Sequence, residues 1–101
     1  PAIKIGDDYR PIWSYVPHFV HTPFYVYAYA FGDGLVNALY AEYEEKPTGF
    51  SSKYFEMLEA GGSKHHSDLL APFGLNASDA KFWSKGLSVI SSMIDELEKM
   101  K

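Results

Sequence analysis

The stretch Pro17-His18-Phe19-Val20-His21-Thr22-Pro23-Phe24-Tyr25-Val26-Tyr27-Ala28-Tyr29-Ala30-Phe31 decides how the chain is read. It lies within a longer run, Pro11 to Gly32, that holds no Asp, Glu, Lys or Arg, and eight aromatic side chains fall between Trp13 and Phe31. An uncharged run of this length raises the question of a membrane span. Pro17, Pro23, Ser14, Thr22, His18 and His21 argue against one, because lipid offers no partners to their polar groups. Burial against protein is expected instead, and no membrane partner.

Thr22 can cap a helix, and Pro23 suits a first helical position, where its missing N–H costs nothing; a helix over 23–45 is predicted. Its opening turns, Phe24 to Phe31, are apolar on nearly all sides and should be buried all round. Later turns set Leu35, Leu39 and Tyr43 against Glu42, Glu44 and Glu45. Gly32 and Gly34 each weaken a helix by roughly 1 kcal/mol relative to Ala, which points to a close helix crossing or a ligand approach. Upstream, residues 1–22 show no 3.6-residue period and are punctuated by prolines, so extended and loop segments are predicted there, with room for one short strand.

Downstream, Lys46-Pro47-Thr48-Gly49 breaks the pattern, and a helix over 50–60 places Phe50, Tyr54 and Leu58 on one face before Gly61-Gly62 ends it. Ser63 is the expected cap of a helix over 64–71, which stops ahead of Pro72. Asn76 or Ser78 is the expected cap of a last helix over 79–99. The apolar stripe of that helix is Phe82, Trp83, Leu87, Ile90, Ile94 and Leu97, with Gly86 a point of kinking or splitting. Met93 and Met100 read as packing residues, and Asp95, Glu96, Glu98 and Lys99 as a solvated face. The fold class is therefore all-α: a small multi-helix unit with an irregular aromatic N-terminal segment, its 101 residues forming one unit.

Seventeen aromatic residues are many for so short a chain to hide by itself. A net charge of −4, from 9 basic and 13 acidic residues, gives no basic footprint for a phosphate backbone, so nucleic acid is not an expected partner. The absence of cysteine rules out disulfides and thiolate metal sites and fits a reducing compartment. Pro1 to Asp8 shows no leader pattern, and a first residue other than Met reads as a piece of a longer polypeptide.

Two imidazoles, His18 and His21, lead into a cluster of tyrosines. Tyr25, Tyr29 and Asp33 stand at i, i+4 and i+8 and share one helix face, while Tyr27 points elsewhere. A tyrosine hydroxyl, with a pKa near ~10, stays protonated at neutral pH and can donate to a developing oxyanion, as can a histidine. The alternative is that these tyrosines are amphipathic core residues whose hydroxyls reach water or backbone. His18 and His21 lack a helical i, i+4 presentation and no H-E-x-x-H occurs, so no metal site is expected within the chain. His65 and His66 diverge by about 100° on a helix and read as solvated. Gly61-Gly62-Ser63-Lys64 lacks the strand and spacing of a phosphate cradle.

Trp13-Ser14-Tyr15-Val16-Pro17-His18-Phe19, continuing through Pro23-Phe24-Tyr25-Val26-Tyr27-Ala28-Tyr29-Ala30, resembles the C-terminal part of the oligoendopeptidase F group, within the thimet-oligopeptidase family of zinc metallopeptidases. Ala60-Gly61-Gly62-Ser63-Lys64 and Asp68-Leu69-Leu70 resemble the same group's next helical segments. The resemblance implies a helical, clam-like cytoplasmic peptidase that hydrolyses short peptides in a deep channel. It also implies a zinc cofactor whose H-E-x-x-H helix and third Glu ligand lie upstream, outside this segment. On this likeness His18, Tyr25 and Tyr29 are the catalytic candidates, stabilising the anion formed when a zinc-activated water attacks a peptide carbonyl. Tyr27 and His21 are weaker, substrate-binding candidates. The implied partners are short peptides and the remainder of the parent peptidase, and the segment alone should be inactive and inclined to self-associate. A reading from another class also fits the uncharged run: a non-catalytic helical module that docks a protein or itself through its aromatic face.

Overall fold

A computed structural model describes residues 3–100 of the chain. Every regular element among them is helical: a 3-10 stretch at Asp7–Tyr15, α1 (His18–His21), α2 (Tyr27–Glu45), α3 (Phe50–Ala60), α4 (His66–Leu70) and α5 (Ala80–Lys99), with short 3-10 turns at Gly61–Ser63 and Ala71–Phe73. The all-α class is thus observed. The described residues divide into two compact units, the first ending at Phe31 and the second beginning at Gly32.

In the first unit the extended reading of residues 1–22 is corrected over 7–15 and 18–21, residues 1 and 2 lying outside the described residues. Asp7–Tyr15 winds as a 3-10 helix with Pro11 inside it, and His18–His21 forms a single α-turn. A three-residue repeat with a proline in it leaves no 3.6-residue signal, which is why the pattern reads as loop. The predicted helix start at Pro23 is also corrected. Thr22, Pro23, Phe24 and Tyr25 form a turn closed by the Tyr25 N–H donating to the Thr22 carbonyl at 3.2 Å, with Pro23 at its second position and Phe24 at φ 63° at its third. Pro followed by a positive φ is the arrangement of a type II turn, and threonine followed by proline serves such a turn as well as it serves a helix start. Regular helix begins only at Tyr27, after the Ala28 N–H has bonded the Tyr25 carbonyl at 2.9 Å.

The second unit holds the core. Ala38 and Leu39 of α2, Leu70 of α4, Phe73 beyond it and Phe82 of α5 form the buried cluster. Leu35, Phe50, Tyr54, Met57, Leu75, Ala77 and Trp83 pack around it. Gly49 adopts φ 73° to turn the chain into α3, and Gly74 adopts φ 71° to end the turn after α4, conformations that favour glycine. Caps fall elsewhere than expected. Ser63 Oγ donates back to the Ala60 carbonyl, and the His65 ring accepts from the Ser67 N–H at the start of α4. Asn76 accepts from the Ser78 N–H within the loop, and Asp79 caps α5 through the Lys81 N–H at 2.9 Å.

Gly86 does not split α5, which runs unbroken over Ala80–Lys99. Its function is proximity. A Cβ there would stand 2.6 Å from the Gly34 carbonyl oxygen, and one on Gly34 would stand 3.0 Å from the Trp83 ring. Gly34 and Gly86 therefore let α2 and α5 cross backbone to backbone, while Gly32 meets nothing within 4 Å. Beside this crossing the buried Glu42 carboxylate receives Lys85 and, at 2.9 Å, Lys46; Lys85 also reaches Glu45 at 2.8 Å. Burial opposes ionisation of Glu42, but the hydrogen bonds and charges of Lys85 and Lys46 outweigh it and hold the carboxyl below the usual carboxylate range.

Candidate functional site

In the first unit no described residue is buried, and only His18 and Val26 are half-buried. The opening turns of α2 share this exposure: Tyr27, Tyr29 and Phe31 stay open to solvent, against the expectation of burial all round. Beyond the backbone hydrogen bonds of its turns, side chains of the first unit meet ring against ring. Trp13 meets Phe19 edge-on at 5.8 Å between centroids. The His18 imidazole lies 5.1 Å from the Tyr25 ring, and Tyr25 meets Tyr29 edge-on at 5.7 Å.

That last contact fulfils the i, i+4 spacing, and it does more than pack the rings. The Tyr25 and Tyr29 hydroxyls stand 3.3 Å apart, within hydrogen-bond reach. The hydrogen bond to Tyr29, its charge and a little desolvation raise the Tyr25 pKa above the ordinary phenol value of 10.0, so Tyr25 keeps its proton through neutral and mildly alkaline pH. Two phenols presented at the head of a helix, one of them tilted against an imidazole, form a set of hydrogen-bond donors with no formal charge of their own.

Of the candidate residues, the structure brings His18, Tyr25 and Tyr29 together. Tyr27 belongs to a second feature, an open hollow of about 350 Å³ lined by His18, Phe19, Phe24, Val26 and Tyr27. His21, at the end of α1, makes no hydrogen bond or ring contact with this cluster among the described residues. Asp33 continues the face of Tyr25 and Tyr29 but bonds Asn37 at 3.1 Å. Phe24 is the residue that sequence reasoning missed. Taken as ordinary helix, it instead sits at positive φ with 91% of its surface exposed, and no residue type or spacing in the sequence signals that.

The remaining constellations resolve simply. The His65 and His66 rings approach to 4.1 Å instead of diverging, because His65 stands outside α4 as its cap, where its Nδ1 lies 2.9 Å from Ser67 Oγ. Among the described residues no three His, Asp or Glu side chains gather as a metal ion would require. No helix among them is long and apolar enough to cross a membrane.

No protein-family model matches the chain, and no solved structure does. Curated proteins do. Oligoendopeptidase F, plasmid, of Lactococcus lactis subsp. cremoris is 27% identical over 99 residues, 98% of this chain but 16% of that protein. An oligoendopeptidase F homolog of Borreliella burgdorferi is 28% identical over 101 residues, 99% of this chain and 17% of its own length. Oligopeptidase PepF of Bacillus subtilis is 27% identical over 88 residues, 87% of this chain and 13% of its own length. Along nearly its whole length, then, the chain is similar to a segment amounting to about a sixth of oligoendopeptidase F.

Proposed function

We propose that the chain is the C-terminal segment of a zinc-dependent, cytoplasmic oligoendopeptidase of the F type that hydrolyses short peptides, and that His18, Tyr25 and Tyr29 hold the substrate and its tetrahedral intermediate. The observation that carries this reading is the Tyr25–Tyr29 hydroxyl pair, 3.3 Å apart, with the His18 ring tilted against Tyr25, inside a chain similar to named oligoendopeptidases along nearly all of its length. Phenolic O–H groups fixed by mutual packing are preorganised donors. They lose little orientation when negative charge develops on a carbonyl oxygen placed before them, which is the condition for transition-state stabilisation.

Zinc belongs to this reading as the cofactor of the longer polypeptide, with its ligands outside the segment. Tyr27 and His21 are the flanking substrate contacts in the same proposal. The exposed aromatic surface of the first unit is compatible with a docking module as well, and similarity to peptidases along nearly the whole chain favours the peptidase.

The test is an assay on a quenched fluorogenic peptide with added zinc, run on the complete polypeptide encoded with this segment and on the segment alone. Turnover by the complete protein and none by the pure segment is expected. Robust turnover by the segment, or none by the complete protein, contradicts the reading.

A further inference from the structure

We propose that His65 is a proton-operated cap of α4: the neutral imidazole holds the Ser67 N–H, and the imidazolium releases that N–H and joins Ser67 and Asp68 in a side-chain relay. These contacts lie within four consecutive residues. They therefore belong to this segment whatever packs around it in a longer polypeptide, and the inference stands apart from the peptidase reading.

A helix N-cap is ordinarily Ser, Thr, Asp or Asn, whose side-chain oxygen goes on accepting at mildly acid pH. His65 takes that place with extended backbone, φ −68° and ψ 148°, and its acceptor is Nδ1, 3.4 Å from the Ser67 nitrogen. A ring nitrogen that accepts carries no proton, so the neutral ring is protonated on Nε2. Imidazole differs from the usual caps in losing its one acceptor when it binds a proton, at about pH 6–7. The proton adds to the Nδ1 lone pair, which takes the acceptor from the Ser67 N–H and makes Nδ1 a donor.

A partner for that donor is already in place. Ser67 Oγ lies 2.9 Å from Nδ1 and 3.5 Å from Asp68 Oδ1. With His65 neutral, the single hydroxyl proton serves Nδ1. With His65 charged, Nδ1–H donates to Oγ and the hydroxyl turns to the Asp68 carboxylate. The His66 ring, 4.1 Å from that of His65, adds like charge when it too is protonated. On α3, Lys53 and Glu56 border a small hollow with Lys64 and Asp68, which His65 does not line, so Asp68 is the carboxylate that meets the cation through Ser67. The Asp68 and Leu69 N–H groups donate to the His65 carbonyl at 3.0 and 3.2 Å, bonds that need no lone pair of the ring. The change is thus confined to the Ser67 N–H: its bond is complete above the imidazole range and is lost as pH falls through it.

The experiment is residue-resolved hydrogen–deuterium exchange on the complete polypeptide between about pH 5 and 8, corrected for the intrinsic pH dependence of amide exchange. Protection of the Ser67 amide is expected to fall about 3- to 10-fold from the upper to the lower end, while that of Asp68 and Leu69 stays level. His65→Asn supplies a cap that does not titrate and is expected to hold the Ser67 amide at one protection throughout. His66→Gln is expected to leave the fall in place. Level protection of Ser67 in the wild-type protein overturns the proposal, as does an equal fall in His65→Asn or the loss of the fall in His66→Gln. A fall shared equally by Ser67, Asp68 and Leu69 means that the whole turn frays, and overturns the relay.

Discussion

The two units of the chain use similar residues to opposite ends. In the second, Phe73 and Phe82 are buried, and an ion-paired Glu42 is tucked beside a helix crossing close enough to need glycine on both sides. In the first, Trp13, Phe19, Phe24, Tyr25, Tyr27 and Tyr29 all remain exposed, and the contacts among them are pairwise, Trp13 against Phe19 and Tyr25 against Tyr29. Aromatic content alone therefore does not make a core. A core needs elements that converge from distant parts of the chain, as α2, α4 and α5 do, whereas the first unit offers a 3-10 stretch, one α-turn and a strained turn in series.

This contrast can be broken by substitution in the isolated chain, and the largest effect belongs to the core. Phe82→Ala is expected to destabilise the second unit by about 3–5 kcal/mol, measured as the loss of the denaturation midpoint followed by helical circular dichroism. A loss below 1 kcal/mol would mean that the α2–α4–α5 cluster is not the stabilising centre. Gly86→Ala comes next. Its Cβ would overlap the Gly34 carbonyl oxygen, so a cost of up to about 3 kcal/mol is expected, despite the better helix propensity of alanine. Stabilisation by Gly86→Ala would show that α2 and α5 do not cross there.

The Glu42 network sets the pH dependence. A carboxyl whose folded pKa is depressed contributes stability above its unfolded value, near ~4.3, and loses it as pH falls through the lower folded value. Melting temperature should therefore be level near neutrality and fall below about pH 4, and Glu42→Gln should flatten that fall while costing about 1.5 kcal/mol at pH 7. An unaltered acid limb in Glu42→Gln would assign it to other carboxylates. The smallest effect is expected in the first unit. Phe19→Ala, at a half-exposed position, should change stability by no more than about 0.5 kcal/mol, and a core-like loss would erase the distinction between the units.

The same contrast explains what could be read from the residues. Helical periodicity and terminal punctuation work where long helices bury a stripe: Lys46-Pro47-Thr48-Gly49 and Gly61-Gly62 bracket α3, which spans Phe50–Ala60. The i, i+4 spacing likewise anticipated the meeting of Tyr25 and Tyr29. Other features left no pattern to read. The 3-10 winding of Asp7–Tyr15 has the wrong period, and the Thr22–Tyr25 turn carries the same residues as a helix start. The positive φ of Phe24 runs against residue preference. Even in the second unit the stripe of α5 is only half used. Phe82 and Trp83 join the core, whereas Leu87, Ile94 and Leu97, together with Met93 and Met100, which had read as packing residues, are exposed.

Steady-state kinetics of Tyr25→Phe in the complete polypeptide tests whether the ordered phenols of the first unit act on a transition state. Phenylalanine keeps the ring contacts with His18 and Tyr29 and removes only the hydroxyl. The expected result is a fall in kcat of about 100- to 1000-fold with KM little changed, as for loss of one donor to an oxyanion. An unchanged kcat would remove Tyr25 from the chemistry and contradict the account.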